Sequence, residues 1–88
     1  MLVRLEQSVP ATITADGGIV LLSRSGRVFR GNGTAATIWQ TLAQCNGDMD
    51  EATNVISRTY QRPAPQLRAD VEQFAVDLVD RGLATVIQ

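Results

Sequence analysis

The side chains able to do chemistry in this chain are few, and their types limit that chemistry sharply. Its 88 residues include no histidine and no lysine, one cysteine (Cys45), one tyrosine (Tyr60), eight arginines and nine carboxylates. General acid–base catalysis near neutral pH draws first on histidine, and nucleophilic catalysis needs a nucleophile beside a base; neither arrangement is recognisable here. A single cysteine forms no internal disulfide, and without histidine it builds neither a Cys/His dyad nor a zinc quartet. Cys45 is therefore read as a small apolar residue at the end of a helix. Asp48, Asp50 and Glu51 look like a carboxylate cluster, but acidic residues in a first helical turn are favoured by capping and by the helix dipole. Asp70, Glu72, Asp77 and Asp80 share residues 66–81 with Arg68 and Arg81, the pattern of a solvated helix face with ion pairs. Gly31-Asn32-Gly33 precedes a helix yet lacks the lysine and the spacing of a phosphate loop. The expectation is a protein with no catalytic residue, no metal and no cofactor.

Charge and composition narrow the remaining classes. The formal net charge is -1, whereas a nucleic-acid binder draws most of its affinity from a basic excess that neutralises phosphate. Nucleic acid is not an expected partner. Hydrophobic residues at 44% and charged residues at 19% are near globular averages, so the chain reads as folded. A chain of this length holds one core, burying roughly two thirds of its unfolded surface, and a single domain over residues 1–88 is expected. The N-terminal MLVRLEQS reaches Arg4 and Glu6 before any long apolar run, so neither a signal peptide nor a membrane span is expected and the default location is cytoplasmic.

The elements that must position any site follow from periodicity. Residues 9–14 read as a first strand, Asp16-Gly17 as a tight hairpin turn, 19–23 as a second strand, Ser25-Gly26 as a second turn and 27–30 as a third strand. The second strand, IVLL, is apolar on both faces, which predicts a central strand covered on each side. From Thr34, Ala35, Ile38, Trp39, Leu42 and Cys45 recur at three- and four-residue spacing and predict an amphipathic helix, started by Asn32 or Thr34 and closed by Asn46-Gly47. A second helix opens at Asp48, whose carboxylate is placed to accept from the N–H of Glu51, with Ala52, Val55, Ile56 and Tyr60 as its apolar stripe. Pro63 and Pro65 break it. A third helix carries Leu67, Val71, Phe74, Ala75 and Leu78 on one face and stops at Gly82; residues 83–87 read as a short strand or packed tail. The class is α+β, a winged helix-turn-helix with an N-terminal three-stranded antiparallel sheet followed by three helices.

One element carries a binding signal. Val28 and Phe29 are adjacent in a strand and point to opposite faces, and a domain this small has a single helical layer to cover them. As the last strand of a meander, Arg27, Val28, Phe29 and Arg30 also form an edge with unpaired backbone groups; Arg27 and Arg30 either protect it from aggregation or attract an acidic partner segment that the edge accepts as a new strand.

DGGIVLL, SGRVFRGNGTAATIW, the acid-capped helix ending in Tyr60, the proline-containing turn and ADVEQFAVDLVDRGL together resemble the PqqD-like family, also called RiPP recognition elements, over roughly residues 9–86. GNGTAATIW resembles most closely the discrete leader-binding proteins of actinobacterial-type lasso peptide clusters. The resemblance implies a non-catalytic protein that captures the leader segment of a ribosomally made precursor peptide. In that family the leader adds as an antiparallel strand to the third strand and lies against the third helix. On this sequence those positions are Arg27, Val28, Phe29 and Arg30 for the strand and Leu67, Asp70, Val71, Phe74 and Ala75 for the helix. The resemblance further implies an apolar pocket for a leader tyrosine and proline, and hand-over to a cysteine-protease-like leader peptidase and an ATP-dependent lasso cyclase. Chaperoning a radical-SAM peptide-modifying enzyme is the related alternative, and a small winged-helix DNA regulator the more distant one. One position departs from the family: the residue before Asn32 is often leucine and is Gly31 here, so packing at the strand-to-helix corner is where a difference is expected.

Overall fold

The computed structural model describes residues 2–6, 9–23 and 25–87. Five strands and three helices follow in the order β1 (Leu2–Leu5), β2 (Ala11–Ile13), β3 (Ile19–Leu22), β4 (Val28–Gly31), α1 (Gly33–Gln44), α2 (Met49–Tyr60), α3 (Ala64–Asp80) and β5 (Ala84–Ile87). The expected meander is β2-β3-β4, antiparallel throughout, with the three helices after it. A second, two-stranded sheet joins the chain ends: Val3 lies opposite Val86 and Leu5 opposite Ala84. Of the two readings of the last apolar run, the strand is the one observed, over Ala84–Ile87, and Leu2–Leu5 supplies its partner.

Local chemistry sets the boundaries. In the first hairpin the Asp16 carboxylate accepts from the Thr14 hydroxyl and the Gly18 N–H. The Thr14 hydroxyl, more than the Gly18 N–H, holds the Asp16 carboxyl below its ordinary range. Asn32 caps α1 by accepting from Ala35 N–H at 3.0 Å, and Asp48 caps α2 by accepting from Glu51 N–H at 3.1 Å. α2 ends where Gln61 turns left-handed. Pro65 then sits inside the first turn of α3, where a missing N–H is harmless because first-turn donors have no helical acceptor.

The helices cover only one face of the meander. Ile19 and Leu21 point into a core shared with Ala35, Ile38, Trp39, Leu42, Met49, Ile56, Val71, Phe74, Leu78 and Leu83. On the opposite face Val20 is half-buried, and Leu22 and Val28 are exposed. The double-sided apolar pattern of β3 therefore does not mark a strand covered twice; a second layer is absent among the described residues.

Gly31 is explained by contact. A Cβ built there would lie 2.5 Å from the Ala35 Cβ and 3.2 Å from Ile19, so α1 can start immediately beside β4 only because this residue has no side chain. Gly31→Leu is expected to destabilise the protein by about 1–3 kcal/mol through overpacking. Chemical denaturation checks this; a wild-type midpoint in the variant would mean that the corner relaxes freely.

Candidate functional site

The phase of the β-ladder decides which backbone groups of β4 are unused. Ser23 N–H donates to Arg27 C=O at 2.9 Å, and Leu22 N–H donates the other way, to the C=O of Pro10, just before β2. Since hydrogen-bonded and non-hydrogen-bonded pairs alternate along an antiparallel ladder, Phe29 bonds across to Leu21 and Gly31 to Ile19, in the observed register. Val28 and Arg30 then direct their N–H and C=O groups away from β3, to the free edge. The same alternation sends the Val28 and Arg30 side chains to the uncovered face and those of Arg27 and Phe29 toward α3.

Phe29 meets α3 directly. Its ring stands edge-on to Phe74, with centroids 5.8 Å apart at 74°, and the Arg81 guanidinium lies 4.9 Å from its centroid. Arg81, the residue that ends α3, is seven residues on from Phe74 and so continues the same helix face. β4 and α3 run in opposite directions past this contact, with a depression at each end. Beyond the start of α1, a pocket of about 60 Å³ is lined by Thr34, Ile38, Ile56, Tyr60, Arg62, Leu67, Asp70 and Val71. Tyr60 is held there by a 3.0 Å hydrogen bond from its hydroxyl to Thr37. At the other end a smaller notch is lined by Ser23, Arg27, Val28, Phe29, Arg81 and Leu83.

The residues singled out from sequence are thereby distributed. Arg27, Val28, Phe29 and Arg30 form the edge, with Phe29 half-buried and the other three exposed. Leu67, Asp70 and Val71 meet in the α1-side pocket, Asp70 at its exposed rim. Phe74, 8% exposed, backs Phe29 from the core. Ala75 is not brought to this furrow: it is fully buried and lines a separate depression with Val3, Val76, Val79, Asp80 and Val86. Tyr60, Arg62 and Arg81 are additions that sequence reasoning did not single out for the site; for Arg81 the signal was its seven-residue offset from Phe74. A larger depression, about 370 Å³, lies elsewhere, between β1, the start of β2 and α1, and touches neither β4 nor α3.

Charge on the two walls differs. On α3, Arg68 bonds Glu72 at 3.0 Å and pairs with Asp50, so its charge is taken up while Asp70 stays exposed and Asp77 half-buried, a surface unsuited to phosphate. No described carboxylate pairs with Arg27, Arg30 or Arg81. Among the described residues no group of three His, Cys, Asp or Glu side chains is placed to hold a metal ion, and no helix is long and apolar enough to cross a membrane. Cys45 ends α1, half-buried; burial, followed by the charges of Glu51 and Asp48, pushes its thiol above the ordinary range. A thiol so shifted is a poor nucleophile at neutral pH.

The arrangement is an open strand edge beside an aromatic floor, with a pocket at each end and, among the described residues, no catalytic constellation. Comparison with known proteins gives a family and a fold. The family described as Coenzyme PQQ synthesis protein D (PqqD) matches residues 17–84. Among solved structures, TbiB1 in complex with the TbiA(beta) leader peptide superposes with a TM-score of 0.82 at 21% identity, over 97% of this chain and 98% of that one. A lasso peptide synthetase B1 complexed with the leader peptide superposes with a TM-score of 0.77 at 28% identity, over 98% of this chain and all of the other (100%). No curated protein matches the chain.

Proposed function

The chain belongs to the PqqD family, as a PqqD-like RiPP recognition element, and from that premise we propose that it binds the leader segment of a ribosomally synthesised precursor peptide by adding it as a strand to β4. The observation that carries this reading is the free edge at Val28 and Arg30, backed by Phe29 on Phe74. Edge pairing supplies sequence-tolerant affinity through backbone hydrogen bonds, and pockets on alternate positions supply selectivity. Phe29, Leu67, Asp70, Val71 and Phe74, with Tyr60 and Arg62, form the wall that such a strand meets. Ordering a flexible leader costs several kcal/mol, so net affinity depends on a few anchored side chains; the α1-side pocket is the place for the leader's tyrosine or proline.

The protein itself is non-catalytic and presents the bound precursor to a separate cysteine-protease-like leader peptidase, with a lasso cyclase acting later. The likeness to a lasso peptide synthetase B1 at 28% identity supports a lasso peptidase as the partner rather than a radical-SAM enzyme. The test begins with the precursor that co-purifies from the native cells. In calorimetry its synthetic leader half is expected to bind and its core half not to bind, and the leader half is expected to compete with the full precursor. Binding confined to the core half would overturn the proposal.

A further inference from the structure

The two ends of the β4–α3 furrow differ in charge. At the α1 end the pocket contains one arginine and one carboxylate, Arg62 and Asp70, on an apolar base of Ile38, Ile56, Leu67 and Val71. At the β3–β4 end, Arg27 and Arg81 flank Phe29. No described carboxylate pairs with either arginine. Asp77, one helical turn before Arg81, accepts from Gln73 at 3.1 Å. Asp80, next in sequence, lies on the other side of α3 against Val3 and Val86. Glu6 donates its backbone N–H to Leu83 nearby and has contacts of its own. Arg81 follows the last turn of α3, where the helix dipole favours a cation. Both arginines are exposed, so they are accessible to an arriving chain.

We infer that Arg27 and Arg81 form an acid-reading subsite, which takes an aspartate or glutamate from the C-terminal part of the bound leader, past the residue paired with Phe29. This rests on the leader-binding reading above. The polarity follows from direction alone: β4 runs from the Arg27 end toward α1, so a strand added antiparallel to it enters at the α1-side pocket and leaves beside Arg81. A leader side chain directed to the α3 side at that exit passes over the Phe29 ring, the position Arg81 now covers, and a carboxylate there meets two guanidinium groups. Arg30 has no part in this subsite, since alternation puts its side chain on the opposite face with Val28. The expected gain over glutamine is about fivefold in affinity, the size of an exposed charge pair, and it should weaken with added salt.

Selection from a displayed library of random peptides about 15 residues long tests the inference whatever the sequence of the natural precursor. The wild-type protein is expected to enrich Asp or Glu at one position C-terminal to an apolar anchor. Arg27→Gln with Arg81→Gln should remove that enrichment while keeping the anchor, and Arg81→Glu should shift it toward Lys or Arg. Circular dichroism confirms that the variants remain folded. Anchored binders without acidic enrichment, or enrichment unchanged in the variants, would overturn the subsite alone. Absence of any binder to the wild-type protein would overturn the leader-binding reading, and the subsite with it.

Discussion

Val28→Pro is expected to weaken leader binding by about thirtyfold or more while leaving the fold intact. Proline has no N–H and is tolerated only where a strand's donor faces outward. The hydrogen bonds Ser23 N–H to Arg27 C=O and Leu22 N–H to Pro10 C=O put the Val28 donor on the free side of β4. The substitution therefore removes nothing from the β3–β4 ladder and changes no core side chain, since Val28 is 51% exposed. What it removes is one edge hydrogen bond, and the ring bulk then props the incoming strand away from its neighbours. Together these amount to roughly 2 kcal/mol, or about thirtyfold in Kd. Two companions make the measurement specific. Val28→Ala keeps the donor and should bind nearly as the wild type does. Phe29→Pro deletes a donor that faces β3 and should lower the melting temperature markedly. Calorimetry with the leader half of the co-purified precursor reads all three. Wild-type affinity in Val28→Pro would mean that the leader does not pair with this edge.

The largest effect on stability is expected far from that edge, at Gly47→Ala. Gly47 follows α1 with a φ of +83°, in the left-handed region, and a Cβ there would lie 1.7 Å from the backbone oxygen of Val3 and 2.9 Å from its carbonyl carbon. The close approach is structural: Val3 N–H donates to Gly47 C=O at 3.1 Å, and Gly47 N–H donates to Leu42 C=O at 2.8 Å, closing the helix. Alanine must either push β1 away from the α1–α2 corner or abandon the turn. The left-handed backbone and the clash together are expected to cost about 3 kcal/mol or more, about 15 °C in Tm for a domain of this size. Gly26→Ala separates the two contributions: its φ is +85° but nothing lies within 4 Å of the added Cβ, so only the backbone cost of about 1 kcal/mol should appear. Thermal denaturation followed by circular dichroism gives both values. Equal losses at the two positions would show that the Val3 contact does not matter.

Gly47 also shows how far local sequence reaches. Asn46-Gly47 is legible as a helix stop, and Asp48 as a cap three residues before Glu51, because each uses groups within one or two turns. That Gly47 also receives β1 is not legible, since Val3 is more than forty residues away. The same division holds at β4. Its edge position and flanking arginines follow from being last in a meander, whereas the sorting of those arginines, Arg27 to the α3 side and Arg30 to the uncovered face, depends on the ladder phase. Val71, Phe74 and Ala75 share a helical stripe, and periodicity cannot distinguish them. The tertiary packing sends Phe74 against Phe29 and turns Ala75 toward Val3 and Val86.

The apolar run of β3 illustrates a misleading signal. Ile19, Val20, Leu21 and Leu22 are all hydrophobic, and alternation carries no information when both faces are apolar. Only the position of the helices reveals that Leu21 is core and Leu22 exposed.

By itself, then, the sequence determined the meander, the three helices with their caps and stops, the absence of histidine- or lysine-based chemistry and the candidate edge, because these depend on residue types and on spacings of two to four. The tertiary structure alone decided the β1–β5 sheet, the reason Gly31 has no side chain, the pairing of Phe29 with Phe74 and the placing of Arg81 over that ring. Those depend on contacts between segments distant in the chain, where the geometry of the packed core selects among residues that local pattern treats as equivalent.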